Sequence, residues 1–280
     1  MTIRVAALHV HPVKSCRGLS LERARVGPRG LERDRELLVV DGDGRFLTQR
    51  EHPRLALVTP RPARTDGLDP CRVTLSAPGL AEHTCDVTAD GPRRPVVIWR
   101  DTVPAVDQGD AVAAWLADAI GVPGARLVRM AHDHVRACNP EWAKRPGANT
   151  GFADAYPILL CSTGSLDDLS ARVGAPVPME RFRANVVVSG AAPWAEDGWT
   201  KLRIGGLVFD VAKPCERCNV PSIDQATAVQ TKEPGRTLAT YRLHDGSRWP
   251  TLKGKLLFGQ NLVHHAQGEV RVGDEVEVVG

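Results

Sequence analysis

The chain has 280 residues, 36 Lys and Arg against 33 Asp and Glu, and a formal net charge of +3. This length suits one large domain or two closely packed ones, and an apolar share of 42% suffices for a substantial core. The near-balance of charge, with basic residues spread along the chain, argues against bulk nucleic-acid binding and leaves room for Arg and Lys to converge locally on an anion.

MTIRVAALHVHPVKS alternates like a strand. It lacks the charged n-region and small-residue cleavage site of a signal peptide. Nowhere does an apolar run approach the roughly 18 residues of a membrane span, so a cytoplasmic location is expected. ELLVVDGDGRFLTQ predicts two strands around the turn Asp41-Gly42-Asp43-Gly44. RLALVTP, CRVTLSAPG and RPVVIWR are further short apolar runs set off by Pro and Gly. DAVAAWLADAIG predicts the first helix, with Asp110 as its cap and Gly121 as its end. ARLVRM returns to strand, and residues 131–151 show no period, which in a compact domain marks a functional or mobile connection. Strand YPILLCS, helix STGSLDDLSARVG with Ser162 or Ser165 as cap, and strand RFRANVVVSG follow. KLRIGGLVFDVAKP predicts a strand pair, PGRTLATYRLH a short helix and VRVGDEVEVVG a strand–turn–strand. Many strands and few helices imply a β-rich α+β fold built from barrel-like modules. No G-x-G-x-x-G or Walker motif follows a strand, which argues against a nucleotide-binding core.

Seven cysteines stand at positions 16, 71, 85, 138, 161, 215 and 218, an odd and scattered set that reads as reduced thiols. KPCERCNVP places Cys215 and Cys218 three apart. A zinc site needs about four ligands, and no second pair completes this one. A thioredoxin-like couple needs a helix after the first Cys, and Pro221 follows instead. Two readings remain: a pair of buried small side chains, or one thiolate acting as a soft-metal ligand or nucleophile, favoured by Lys213 and Arg217. In HPVKSCRG, Lys14 and Ser15 sit where a strand breaks into a turn, which suits a phosphate or merely a solvated turn. Arg33 and Arg35 are expected on one face of a strand with Asp34 between them, and Arg181 and Arg183 on one face before another strand. Arginine at a strand edge can hold an anion bidentately. His132 and His134 have metal-like spacing in an irregular segment, where solvated histidines are the commoner outcome. No nucleophile-elbow or Ser-His-Asp pattern is present.

The succession VKSCRG, LERDRELLVV, FLTQREHPRL, RFRANVVVSG, KPCERCNVPSID, FGQNLV and GEVRVGDEVEV resembles the MOSC-domain proteins that carry an N-terminal MOSC β-barrel domain, nearly end to end. Within that family it is similar to the mitochondrial amidoxime-reducing components and their bacterial homologues. The resemblance implies an N-terminal β-barrel domain over residues 1–125 and a MOSC domain over 126–280. It implies a molybdenum cofactor, Mo-molybdopterin, and reduction of N-hydroxylated compounds. It makes Cys218 the metal ligand and Cys215 its neighbour. Lys14, Ser15, Arg35 and Arg183 would hold the cofactor's phosphate and pterin. Asp154, Ala155, Tyr156, Glu216, Arg217 and Asn261 would line it, and Asp224 is the candidate proton donor. The sequence departs from the family where T-V-D-P-x-T-G becomes SIDQATA, so Asp224 remains but the Pro and Gly do not. Tyr156 stands where a small residue is usual. The chain ends at VEVVG without an iron–sulfur pattern, so the expected electron donor is a separate ferredoxin- or cytochrome-type protein. MOSC modules attached to sulfurases suggest an alternative, a sulfur carrier with a persulfide on Cys218.

Overall fold

The structure, a computed structural model, describes residues 2–62 and 72–280. Cys71, at the head of the predicted strand CRVTLSAPG, lies outside them; the strand itself runs Arg72–Ser76.

Four sheets carry the fold. The largest has eight strands, in spatial order Val276–Val278, Lys201–Ile204, Leu207–Glu216, Leu257–His264, Ile158–Ser162, Val186–Ser189, Arg4–Val10 and Leu19–Leu21. Within this sheet Ile158–Ser162 and Val186–Ser189 pair in parallel, and the other neighbours are antiparallel. A parallel pair needs a crossover, and the helix Thr163–Val173 supplies it. Leu8, Leu160, Val188, Leu202, Phe209 and Leu262 project from this sheet into one buried cluster. The second sheet is antiparallel, in the order Leu37–Val40, Arg126–Met130, Asp101–Asp107, Arg93–Ile98. The helix Asp110–Ile120 inserts Val112, Leu116 and Ile120 into a core with Leu37, Val39 and Leu127. Three-stranded sheets complete the fold: Gly268–Arg271, Arg23–Gly27, Gly30–Leu31, and Thr59–Pro62, Arg72–Ser76, His83–Asp86.

The sheets trade strands across the division expected at residue 125. Arg4–Val10 belongs to the sheet of the C-terminal half through its pairing with Val186–Ser189, and Arg126–Met130 belongs to the N-terminal sheet. The halves are thus stitched together by backbone hydrogen bonds.

Several local expectations change. The apolar run at 55–57 is a 3₁₀ turn, Pro53–Leu57, with the strand beginning only at Thr59. Gly109, rather than Asp110, occupies the N-cap of the first helix, and the Asp110 carboxylate pairs with Arg126 at 2.8 Å. VRVGDEVEVVG is not a hairpin: Gly268–Arg271 pairs with Arg23–Gly27, and Val276–Val278 with Lys201–Ile204. Arg33 and Arg35 stand in a tight turn at φ 69° and 51°, not on a strand. Arg181 lies in the 3₁₀ turn Met179–Phe182, and Arg183 follows it at φ 57°. No helix among the described residues is long and apolar enough to cross a membrane.

Candidate functional site

A cavity of about 870 Å³ opens where the two halves meet. Eight of the side chains lining it are Lys or Arg and three are Asp or Glu. Pockets of this size accept a cofactor or a drug-sized ligand, and an excess of cations over carboxylates calls for an anion.

One wall is built from turns rather than strands. Ser15, Arg35 and Arg183 all line the cavity with positive φ, at 67°, 51° and 57°. A non-glycine residue in that region costs on the order of 1 kcal/mol or more, and such residues gather at functional sites. The left-handed turns aim side chains inward where strand alternation would point them away. Lys14 is buried, and its Nζ donates to the Phe152 carbonyl at 2.9 Å and to Asp154 Oδ1 at 2.5 Å. Burial lowers the Lys14 pKa while Asp154 works against the fall. Desolvation opposes ionisation of Asp154, but the Lys14 ammonium and then Arg35 outweigh it and hold the carboxyl well below its ordinary range.

Arg35 donates to Asp34, to Asn185 Oδ1 at 2.9 Å and to the Arg183 carbonyl at 3.0 Å. Arg183 donates to the Cys16 carbonyl at 2.7 Å, whereas its Nη2 is buried and has no hydrogen-bond partner among the described residues. Burial and the neighbouring Arg35 bring the Arg183 pKa down to about 10. A buried donor left unpaired is costly, and an anion delivered into the cavity would relieve it.

Residues 151–156 form a second wall, shaped by a residue that the sequence did not single out. Arg136 is buried, donates to the carbonyls of Gly151, Ala153 and Asp154 at 3.1, 2.5 and 3.2 Å, and pairs with Asp101 at 2.6 Å. Gly151 lets this segment pass close to the Arg35 turn: a Cβ there would lie 2.8 Å from the Arg35 carbonyl oxygen. Tyr156 is buried with Cys138, Ala143, Ala212 and Val263, and burial pushes its phenol pKa up. The aperiodic stretch at 131–151 therefore lines the cavity through Arg136, Ala137 and Asn139.

The strand Leu207–Glu216 brings in the cysteines. Its register against Leu257–His264 slips between Pro214 and Glu216, which pair with Gln260 and Leu257, so the bulge lies on the facing strand and Cys215 stands opposite Phe258 and Gly259. Bulges re-aim side chains beside functional sites. Cys215 Sγ takes a hydrogen bond from Arg217 Nη1 at 3.0 Å. Burial raises its pKa, and Arg217 opposes the rise. Cys218, three residues on, is exposed, lines the cavity and has no hydrogen-bond partner among the described residues. Arg217 also donates to the Phe182 carbonyl at 2.9 Å, and its Nε is buried without a partner. Glu216 accepts from Lys213, and Asn261 Nδ2 donates to the Lys213 carbonyl at 3.1 Å.

Lys14, Ser15, Arg35, Asp154, Ala155, Tyr156, Arg183, Glu216, Arg217, Cys218 and Asn261 thus converge on one cavity. Asp224 does not. One of its oxygens accepts from the amides of Ala226 and Thr227 at 3.0 and 2.9 Å, the other from Arg181 at 3.0 Å. It organises the loop after Cys218 and is withdrawn as a proton donor. Arg181 braces the same loop, also holding the Pro221 carbonyl at 3.2 Å, and neither Arg181 nor Arg33 reaches the cavity. His132 is exposed, and the carbonyls of His132 and His134 accept from Arg29. No group of three or more His, Cys, Asp or Glu side chains suited to a metal occurs among the described residues.

Gln225, in the loop after Cys218, has a partner. Its amide and that of Gln49 exchange two hydrogen bonds, at 3.0 and 3.1 Å, and Gln49 also donates to the Ser15 carbonyl at 2.6 Å. Both side chains are buried. The Cys218 loop is thereby tied to the Ser15 turn. No sequence pattern announces this, because the partners lie 176 residues apart.

Two β-rich halves meet at a cationic cavity with an exposed thiol, Cys218, in its lining. The MOSC N-terminal beta barrel domain matches residues 2–123 and the MOSC domain matches residues 148–277, and the chain belongs to this MOSC family. It is 34% identical to the mitochondrial amidoxime-reducing component 1 of Mus musculus, over 99% of this chain and 82% of that one. It is 33% identical to the Homo sapiens protein of the same name, over 99% and 83%. It is also 32% identical to a molybdenum cofactor sulfurase of Oryza sativa subsp. japonica, over 92% of this chain but only 32% of that one.

Proposed function

We propose that this chain is a molybdenum-cofactor-dependent oxidoreductase that reduces N-hydroxylated compounds such as amidoximes and hydroxylamines, with Cys218 as the protein's ligand to the metal. The observation that carries the reading is Cys218 itself. It is the unpartnered thiol of the pair, and it faces a cationic wall whose Arg183 Nη2 is buried and unpaired. Those features suit a phosphate-bearing pterin dithiolene: a soft thiolate for the metal, and Lys and Arg for the phosphate. When bound, the cofactor supplies a metal centre that takes the oxygen from an N–OH group.

In this reading Lys14, Ser15, Arg35 and Arg183 hold the anionic end. Residues 154–156 with Glu216, Arg217 and Asn261 fix the orientation. Two electrons and two protons convert N–OH to N–H and water. The electrons arrive from a separate ferredoxin- or cytochrome-type protein, and the protons from solvent at the open mouth. The identity to amidoxime-reducing components over nearly the whole chain supports the choice of substrate. The sulfurase matches this chain over only a third of its own length, which gives the sulfur-carrier alternative less support.

The test is benzamidoxime reduction by protein isolated from a cofactor-competent host, with a chemical electron donor. Wild type is expected to form benzamidine. Cys218→Ala is expected to lose the activity by a factor of 100 or more, on the scale of about 3 kcal/mol of transition-state stabilisation, with an unchanged circular dichroism spectrum. Full activity in Cys218→Ala would overturn the assignment, and a persulfide on Cys218 without pterin would favour the carrier.

A further inference from the structure

The strands Arg93–Ile98 and Asp101–Asp107 form a hairpin whose last pair is Ile98 with Asp101, leaving Trp99 and Arg100 as a two-residue turn at the cavity rim. Trp99 stands at φ 57°. Two-residue hairpin turns that need a positive φ at their first position favour Gly, Asn or Asp there, and a bulky side chain in that region is an outlier. The indole is also 43% exposed. Folding alone favours neither feature, so the position points to function.

Trp99 is held in place all the same. Its ring lies 5.0 Å from that of Phe46, and the Arg50 guanidinium stacks 4.4 Å from its centroid. Its Nε1–H donates to Asp154 Oδ1 at 3.2 Å, on the carboxylate that also takes the Lys14 ammonium. The rim is therefore wired to the cationic wall. Two cations at the rim, Arg50 and Arg100, have no carboxylate partner among the described residues. Arg50 has only the Trp99 ring and a long contact of 3.4 Å to Thr48 Oγ1, and Arg100 makes no hydrogen bond or ion pair among the described residues.

We infer that this hairpin tip selects the substrate: Trp99 provides a stacking surface and Arg100 with Arg50 an anion site, favouring flat aromatic N-hydroxylated compounds that carry a carboxylate. The inference rests on the proposed reductase activity for the N–OH end of the ligand. The aromatic and anionic ends follow from the rim itself, since guanidinium pairs carboxylate bidentately and indole stacks on aromatic rings.

The test compares benzamidoxime with 4-carboxybenzamidoxime, and separately measures binding of the non-reducible pair benzamide and 4-carbamoylbenzoate by calorimetry, in wild type, Arg100→Gln and Trp99→Gly. Wild type is expected to prefer the carboxylated member of each pair. Arg100→Gln is expected to reduce that preference, as a ratio of kcat/KM or of Kd, roughly tenfold. Trp99→Gly, which fits the turn, is expected to keep the molybdenum content and the melting temperature while weakening both members of each pair. Loss of molybdenum in Arg100→Gln would assign the arginine to the cofactor and overturn the inference. So would an unchanged preference, or a lower melting temperature with unchanged binding in Trp99→Gly. If wild type reduces neither amidoxime but binds 4-carbamoylbenzoate selectively, the reductase reading fails and the rim assignment stands.

Discussion

Cys215 and Cys218 differ in surroundings more than in sequence. Opposite the bulge, Cys215 accepts from Arg217, while Cys218 follows the strand's end into the cavity. The spacing alone left both thiols open because it does not show which of them a neighbouring side chain such as Arg217 will engage. Arg183 repeats the point from the other wall. The residue type and its place before an apolar strand were legible, but its left-handed φ and its unpaired, buried Nη2 were not. A buried guanidinium nitrogen left without a hydrogen-bond partner destabilises the empty protein and strengthens binding of an anion. Arg183→Gln is accordingly expected to lose most of the bound molybdenum while the cofactor-free protein melts no lower than wild type. Metal analysis paired with calorimetry checks both halves. A lower melting temperature with full metal loading would mark Arg183 as structural.

At the scale of elements, the site depends on how turns and loops are tied together. Two residues beyond Cys218 tie down its loop in different ways. Asp224 keeps its loop closed through Ala226, Thr227 and Arg181. Gln225 supplies a hydrogen-bonded tie to Gln49, and through it to the Ser15 turn. Gln225→Ala strands the Gln49 carbonyl and is expected to cost about 1–2 kcal/mol in urea denaturation. Adding Gln49→Ala should cost less than it does alone, because the two side chains form one unit. Strict additivity would show that the pair is not coupled. The same dependence on distant partners explains the misread elements. Residues 33–35 look like a strand start because they precede an apolar run, yet Asp34 and Arg35 are recruited by His11, Asn185 and Arg183 into a turn.

Across the whole molecule, β-richness, the main strands and the two long helices were legible because hydrophobic alternation and punctuation by Gly and Pro are local signals. The trading of strands between halves was not. Pairing of Arg4–Val10 with Val186–Ser189 spans most of the chain, and only the assembled fold shows that Lys14 and Arg35 face Cys218 across one cavity. Most site residues were reached by resemblance together with residue chemistry. Arg136, Trp99, Arg50 and Gln49 were missed because each acts through a contact far away in sequence. Each half supplies part of the cavity wall, so the site belongs to the intact chain. The most direct test of the central claim is the molybdenum and pterin content of the intact chain purified from a cofactor-competent host. The account predicts about one molybdenum and one pterin per chain, with the molybdenum lost in Cys218→Ala, because a structured site holds its metal through that thiolate. Neither molybdenum nor tungsten above background in the wild-type protein would contradict it.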